Sequence, residues 1–216
     1  MRRTKADAAQ TREDIFRAGI SVFARNGYAA TTLDDVARAA GCTRGAIYWH
    51  FRNKEAFYQE TLQRLNRYYD ELVTAALRVD GPPLDVVAHA TTEVIRKFSR
   101  DREFRDMQEL AMRTAIGGGG PREQRGHRRE RPIQRDGAEA IPLFAEAIRR
   151  NGLYTQWTAE AAFIALSSFL SGVFLQIIEH DLVLTDEQIE EMVGFVRRGM
   201  APVNANQPHK ETIDVT

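Results

Sequence analysis

Apolar residues return every three to four positions along most of this 216-residue chain, the spacing that gathers them on one face of an α-helix. Ile15, Ala18, Gly19, Val22 and Phe23 make such a stripe over residues 11–26, the first predicted helix. Leu33, Val36, Ala37 and Ala40 repeat it over a short second helix, and residues 44–50 read as a third. Phe57, Leu62, Leu65, Tyr69, Leu72 and Leu77 then recur from Lys54 to Arg78. That helix would be about 36 Å long at 1.5 Å per residue, enough to join the amino-terminal part to everything behind it. Gly81-Pro82-Pro83 ends it and opens a helix over Leu84–Phe98, proline being tolerated in a first turn. A short helix follows over Glu103–Met112, and another over Asp136–Arg150, stopped by Asn151-Gly152. The fold class read from this pattern is all-α.

Two segments depart from ordinary amphipathic spacing. Residues 161–178 carry no formal charge and are apolar on every side, which describes a helix buried all round or lying in lipid. Ser167, Ser168, Ser171 and Gln176 interrupt it, and Glu160, Glu179 and Asp181 flank it where lysine or arginine would mark a membrane span. Burial therefore needs one partner inside the subunit and one outside. Thr185 caps a last helix to Met200 with Ile189, Met192, Val193 and Val196 on one side. These two helices are expected to form a four-helix homodimer interface through Phe169, Gly172, Val173, Gln176, Ile189, Val193 and Val196. The other departure is Gly117–Gly120 followed by six arginines against two glutamates over residues 122–135. A solvated loop or exposed helix start is favoured there over a second phosphate-binding patch or a mobile cover beside a pocket.

Residues 31–54 carry the chemistry. Thr32 is an N-cap, with Asp35 placed to reach back in an acidic capping box. Gly41 supplies the left-handed conformation of a tight turn, and Thr43 caps the helix over Arg44–His50. Ile47 faces inward, while Arg44, Gly45, Tyr48 and His50 face outward; Asn53 caps the long helix at Lys54. This is a helix-turn-helix, the arrangement that sets a helix into the major groove of DNA. Thr43 and the free N–H groups of a helix start suit a phosphate, Arg44 suits a guanine edge, and Gly45 lets the backbone approach closely. Tyr48, Trp49, His50 and Lys54 add rings and donors for phosphate oxygens. For Trp49 a core-anchor role stands equally open, because an indole N–H serves both. Thr32 completes the expected contact set.

The same residues resemble the TetR family of bacterial transcriptional repressors, and most closely its AcrR-like branch. The matching residues are Arg12-Glu13-Asp14-Ile15, Phe23-Ala24-Arg25-Asn26-Gly27-Tyr28, Thr31-Thr32-Leu33, Val36-Ala37 and Ala40-Gly41. Thr43-Arg44-Gly45-Ala46-Ile47-Tyr48-Trp49-His50-Phe51 and Lys54-Glu55 follow in order. Cys42 departs from the pattern, in a slot where the family more often has valine. The resemblance implies a DNA-binding module over residues 1–53, a helical effector-binding and dimerisation domain over 54–200, and a disordered tail over 201–216. It also implies control of multidrug efflux.

Charge supports the division. Formal net charge is zero, yet residues 1–54 hold ten Lys/Arg against five Asp/Glu, leaving the excess of acid to the remainder. Arg2, Arg3 and Lys5 form an arm that either touches phosphate and minor groove or is simply solvated. A lone Cys42 fits a reducing cytoplasm, and a packing role is favoured over a redox switch for want of a resolving cysteine. The polar opening of the chain lacks the apolar core of a signal peptide. No catalytic constellation, cofactor loop or metal-ligand spacing occurs; the five histidines are scattered. The expected protein is a cytoplasmic dimeric repressor on a palindromic operator, released by a small apolar or aromatic effector. Phe98, Phe104, Met107, Met112, Trp157, Phe163 and Phe174 are the candidate pocket lining. A DNA-binding regulator with no small effector, whether activator or partner-controlled, is the alternative, and an enzyme is remote.

Overall fold

The computed structural model of the protein describes residues 5–78, 81–117, 141–150 and 158–201. Those residues form nine helices and no strand. They are α1 (Lys5–Asn26), α2 (Leu33–Ala39), α3 (Arg44–His50), α4 (Lys54–Leu77), α5 (Pro83–Arg100), α6 (Arg102–Gly117), α7 (Ile141–Arg149), α8 (Ala159–His180) and α9 (Asp186–Met200). The predicted helix start at Asp136, residues 118–135 of the Gly/Arg-rich segment, Trp157 and the tail from 202 onward lie outside the described residues.

α1 starts six residues earlier than its apolar stripe. Ala6, Ala8 and Ala9 are strong helix formers, and Thr11, the residue that would cap a later start, donates its hydroxyl within the helix to the Asp7 carbonyl at 2.8 Å. Lys5 thus belongs to the helix and not to an arm. α6 likewise runs past the predicted end at Met112, because Thr114 continues its buried face.

The head formed by α1–α3 closes on a residue from the first turn of α4. The ring of Phe57 lies 5.0 Å, centroid to centroid, from each of Phe16, Phe23 and Phe51. Burying each such ring stabilises the head by about 1.5–3 kcal/mol. α1 can pass this close only at a glycine: a Cβ on Gly19 would stand 2.7 Å from the Phe57 ring and 2.8 Å from Val36 Cγ1. The same apolar cluster continues through Leu65 to Phe98, Phe104, Leu110, Phe174 and Ile177. α4 therefore serves head and body alike, although residue 54 is where the helix begins.

In the body, α5 packs against α9 and α8 through Ile95, Ile189, Val193, Phe169 and Val173. Phe144 of α7 fills a second cluster with Val86, Val87 and Ala162. α8 is not buried on all sides as expected from its composition. Ala162, Phe174 and Ile177 point inward, but Ile164, Ser168, Ser171, Gly172, Leu175 and Gln176 form an exposed stripe at helical spacing. By length and composition α8 could cross a bilayer, with a mean hydropathy of 2.0; here one of its faces is built into the core. Its end is sharp: Asp181 takes a left-handed conformation with φ 48°. Thr185 and Gln188 then cap α9 reciprocally.

Candidate nucleic-acid interface

The turn between α2 and α3 is held as its residue types require. Thr32 and Asp35 make the reciprocal capping box at the start of α2, at 2.9 and 3.2 Å. Gly41 adopts φ 63°, where a side chain would be strained. Thr43 accepts the Ala46 N–H at 3.2 Å, which leaves the donor capacity of its exposed hydroxyl unused by this cap. Asn53 does the same for α4, accepting from Ala56 N–H at 2.7 Å. Cys42 packs half-buried beside the head core, and burial pushes its thiol up, which keeps it protonated and a weak nucleophile at neutral pH.

α3 is anchored by Ile47, its one buried residue, at 0% exposure. Everything else on that helix faces outward to some degree. Trp49 is 74% exposed and Tyr48 44%, so the core-anchor reading of Trp49 is overturned: its indole stands free of the interior, edge-on to His50 at 4.5 Å. The guanidinium of Arg44 lies 5.6 Å above the Tyr48 ring, with Nε 3.3 Å from Asp34 Oδ1. That contact is an ion pair without hydrogen-bond alignment, since Asp34 Oδ1 has no hydrogen-bond partner among the described residues. Asp34 biases Arg44 without locking it. At Gly45 an added Cβ would meet nothing nearer than Thr43 Oγ1 at 4.0 Å, so packing within the protein does not require glycine there.

Two of the expected contact residues are already engaged. The Thr32 hydroxyl donates to Asp35 at 2.6 Å while accepting from its N–H. Lys54 Nζ donates to the carbonyls of Tyr28, Ala29 and Thr31 at 3.1, 3.3 and 3.3 Å and sits 4.6 Å over the Tyr28 ring. It ties the start of α4 to the loop after α1. Only long-range packing brings those carbonyls to it, and no spacing in the sequence announces them.

Residues 15–61, the span that contains this geometry, match the family described as bacterial regulatory proteins, tetR family. The transcriptional regulator TtgR of Pseudomonas putida is 33% identical over 200 residues, covering 92% of this chain and 91% of that protein. The transcriptional repressor BepR of Brucella suis biovar 1 is 31% identical over 215 residues, covering 96% and 100%. This chain belongs to the TetR family. Among solved structures, NalD, the secondary repressor of the MexAB-OprM multidrug efflux pump in Pseudomonas aeruginosa, shares the fold with a TM-score of 0.68. It is 24% identical, over 91% of this chain and 98% of that one. As a TetR-family protein, this one is an all-α DNA-binding transcriptional regulator with an amino-terminal helix-turn-helix and a helical body.

The expected effector residues are not gathered into one lining. Phe98, Phe104, Met107 and Phe174 are buried in the main core, where Phe98 and Phe174 stack at 4.1 Å. Met112 flanks that cluster, whereas Phe163 packs with Phe144 in the separate one. A cleft of about 620 Å³ opens instead between α1, α4, α5 and α6, bordered by Arg12, Glu13, Arg64, Lys97, Asp101 and Glu103. Tyr68, Phe104 and Met107 also line it, so that apolar surface alternates with the charged side chains. The dimer set also divides. Ile189 and Val193 are buried against Ile95 within the subunit and have no surface to give, so their assignment to the interface is corrected. The amphipathic face of α9 was the one facing its own core. Gly172 and Gln176 are exposed, and Phe169, Val173 and Val196 are half-buried. Phe195, 72% exposed, lies off that stripe, an aromatic residue on the polar side of an amphipathic helix that the expected interface set did not include.

Proposed function

We propose that the protein is a dimeric, ligand-responsive repressor whose α3 enters the major groove of a palindromic operator. The observation that carries this reading is the economy of α3: Ile47 alone holds it to the head, and Arg44, Tyr48 and Trp49 stand outward. Arg44 reads a guanine edge, steadied by Tyr48 and Asp34. Thr43 donates to phosphate, Gly45 allows close backbone approach, and Tyr48, Trp49 and His50 pack against the sugar-phosphate wall. Thr32 and Lys54 support the backbone that presents them and add to phosphate binding from the edge of the site.

Two recognition helices set about 34–36 Å apart need two subunits. In this reading a second copy covers the exposed stripe of α8, from Ile164 through Gly172 and Leu175, together with Phe195 of α9. The residues before α4 form the DNA-binding module, and those from α4 to α9 the effector and dimer domain. A small apolar or aromatic effector weakens DNA binding by favouring the body conformation whose helices are wrongly spaced, which requires that it bind that conformation more tightly. Binding among Phe98, Phe104 and Phe174 would have to part the Phe98–Phe174 stack. Control of an efflux operon in the cytoplasm of a bacterium is supported by likeness to NalD, named as the secondary repressor of a multidrug efflux pump.

The test is a gel shift on the DNA flanking its own gene, with and without lipophilic cations and phenolics. Specific binding released by one compound supports the whole reading. Specific binding that no compound relieves leaves the DNA-binding part and removes the effector. Equal affinity for all duplexes defeats it.

A further inference from the structure

Beside the open cleft, a polar clasp joins head and body. On α1, Glu13, Arg17 and Ser21 stand at successive turns on one face, and each meets a group from another helix. Arg64 of α4 grips the Glu13 carboxylate with both nitrogens at 2.8 and 2.9 Å and reaches Glu60 at 2.8 Å. Its guanidinium rests 3.7 Å over the ring of Phe16, and its side chain is only 18% exposed. From α6, Glu103 lies 3.5 Å from Arg64 and 3.3 Å from Arg17, and one turn on, the carboxylate of Asp106 accepts the Ser21 hydroxyl. Two acidic residues of the body, three positions apart, thus hold two polar residues of the head, four positions apart.

Contacts of this kind behave differently from the apolar packing around them. Apolar attraction has no preferred direction. Charge-assisted hydrogen bonds are directional, and partly desolvated ones lose much of their value when misaligned. A shift of α6 along α1 would break the Asp106–Ser21 hydrogen bond and part Glu103 from Arg64, with the exposed Arg17–Glu103 pair adding least. α1, in turn, is packed through Phe16, Phe23 and Gly19 onto the elements that carry α3.

We infer that Glu103 and Asp106 are positioning residues for DNA binding: with Arg64 at the hub, they set the angle of the helix-turn-helix head on the body. The angle of each head fixes how far apart the two recognition helices lie. The inference rests on the dimeric operator reading, and adds to it the residues that determine half-site spacing.

The experiment begins with duplexes selected from a random pool by the full-length protein, rebuilt with the two half-sites moved one or two base pairs closer or apart. Affinity is measured for the wild type, Glu103→Gln and the double variant Glu103→Gln with Asp106→Asn, with thermal melting to verify folding. Each added base pair turns the second half-site by roughly 35° about the DNA axis, so the wild type should lose about tenfold or more away from its preferred spacing. The double variant should bind all spacings within about threefold of each other while keeping wild-type affinity for a single half-site, where only α3 and its neighbours act. Were the double variant not to fold, the single Glu103→Gln change, at a partly exposed side chain, carries the same comparison with a smaller flattening. A folded variant that keeps the wild-type spacing profile overturns the inference and leaves the operator reading intact. A wild type that selects no paired half-sites overturns both.

Discussion

Among the described residues, α3 and α8 both hold large apolar side chains out to solvent, and the two helices differ in what stands around those side chains. On α3, Tyr48 and Trp49 each carry a polar atom, and Arg44 and His50 lie against their rings. On α8, Ile164 and Leu175 carry none, and their exposed neighbours along the stripe are Ser168, Ser171, Gly172 and the uncharged Gln176. Aromatic rings mixed with cations suit a surface that is itself charged and ringed, as DNA is. Aliphatic groups beside small residues suit a second protein surface that approaches closely. The difference lies in the chemistry of the neighbours and not in exposure itself, which is common for single apolar residues on protein surfaces.

Predictions that would break this contrast can be ranked by size. The largest concerns Phe195. Phe195→Glu removes about 1.5–3 kcal/mol of burial from each copy. The dimer dissociation constant, read by sedimentation equilibrium, should rise by about two to four orders of magnitude. A dimer of undiminished strength would place the interface elsewhere. Next is Arg44→Ala, expected to weaken specific operator binding by about 1–3 kcal/mol and to relax base preference at one position, with the melting temperature unchanged. Unaltered affinity in a titration would remove Arg44 from the contact set.

Lys54→Met sharpens the distinction within the head itself. Losing a charged donor to three carbonyls should lower stability by on the order of 1–2 kcal/mol in urea unfolding. Its effect on DNA affinity per folded molecule should be smaller than that of Arg44→Ala. The reverse ranking would make Lys54 chiefly a phosphate ligand.

The smallest effect is one of pH, and it compares two helix caps. The Thr32 hydroxyl, its backbone N–H and nearby Arg38 hold the Asp35 carboxyl below its usual range. Because the folded-state value is depressed, this stabilisation is complete above the ordinary carboxylate range and is lost as pH falls through the lowered value. The matching cap of α9 uses Gln188 and does not titrate. Asp35→Asn should flatten the acid limb of the melting curve at the head, whereas the α9 start keeps its own acid-sensitive group in Asp186, which Arg100 and Arg96 hold below the usual carboxylate range. An unchanged acid limb would mean that Asp35 titrates alike in folded and unfolded chains.

Much of the head was legible because its signals are local. Thr32, Gly41, Thr43 and Asn53 act within three or four residues of themselves, and the structure has each doing what its position implied. Helix existence was equally legible from apolar spacing, including the long α4. The errors arose where composition had to stand in for neighbours. Alanines extended α1 beyond its stripe, and α8 was apolar enough to read as buried on every side. Ile189 and Val193 were assigned to a partner when Ile95 already covered them.

What the sequence by itself determined, then, is the set of helices, the turn that makes a helix-turn-helix, and the residues that face outward from α3. Those depend on backbone conformation, capping and short-range periodicity, which a linear pattern records. Tertiary structure alone decided that Trp49 is exposed, that Lys54 meets three carbonyls, that the six candidate pocket residues within the described structure fall into separate groups, and that Arg64 draws Glu13 and Glu103 together. Arg17 and Glu103 are 86 positions apart. Nothing in either residue's surroundings in the chain marks the other, because that pairing is made by the packing of α6 on α1.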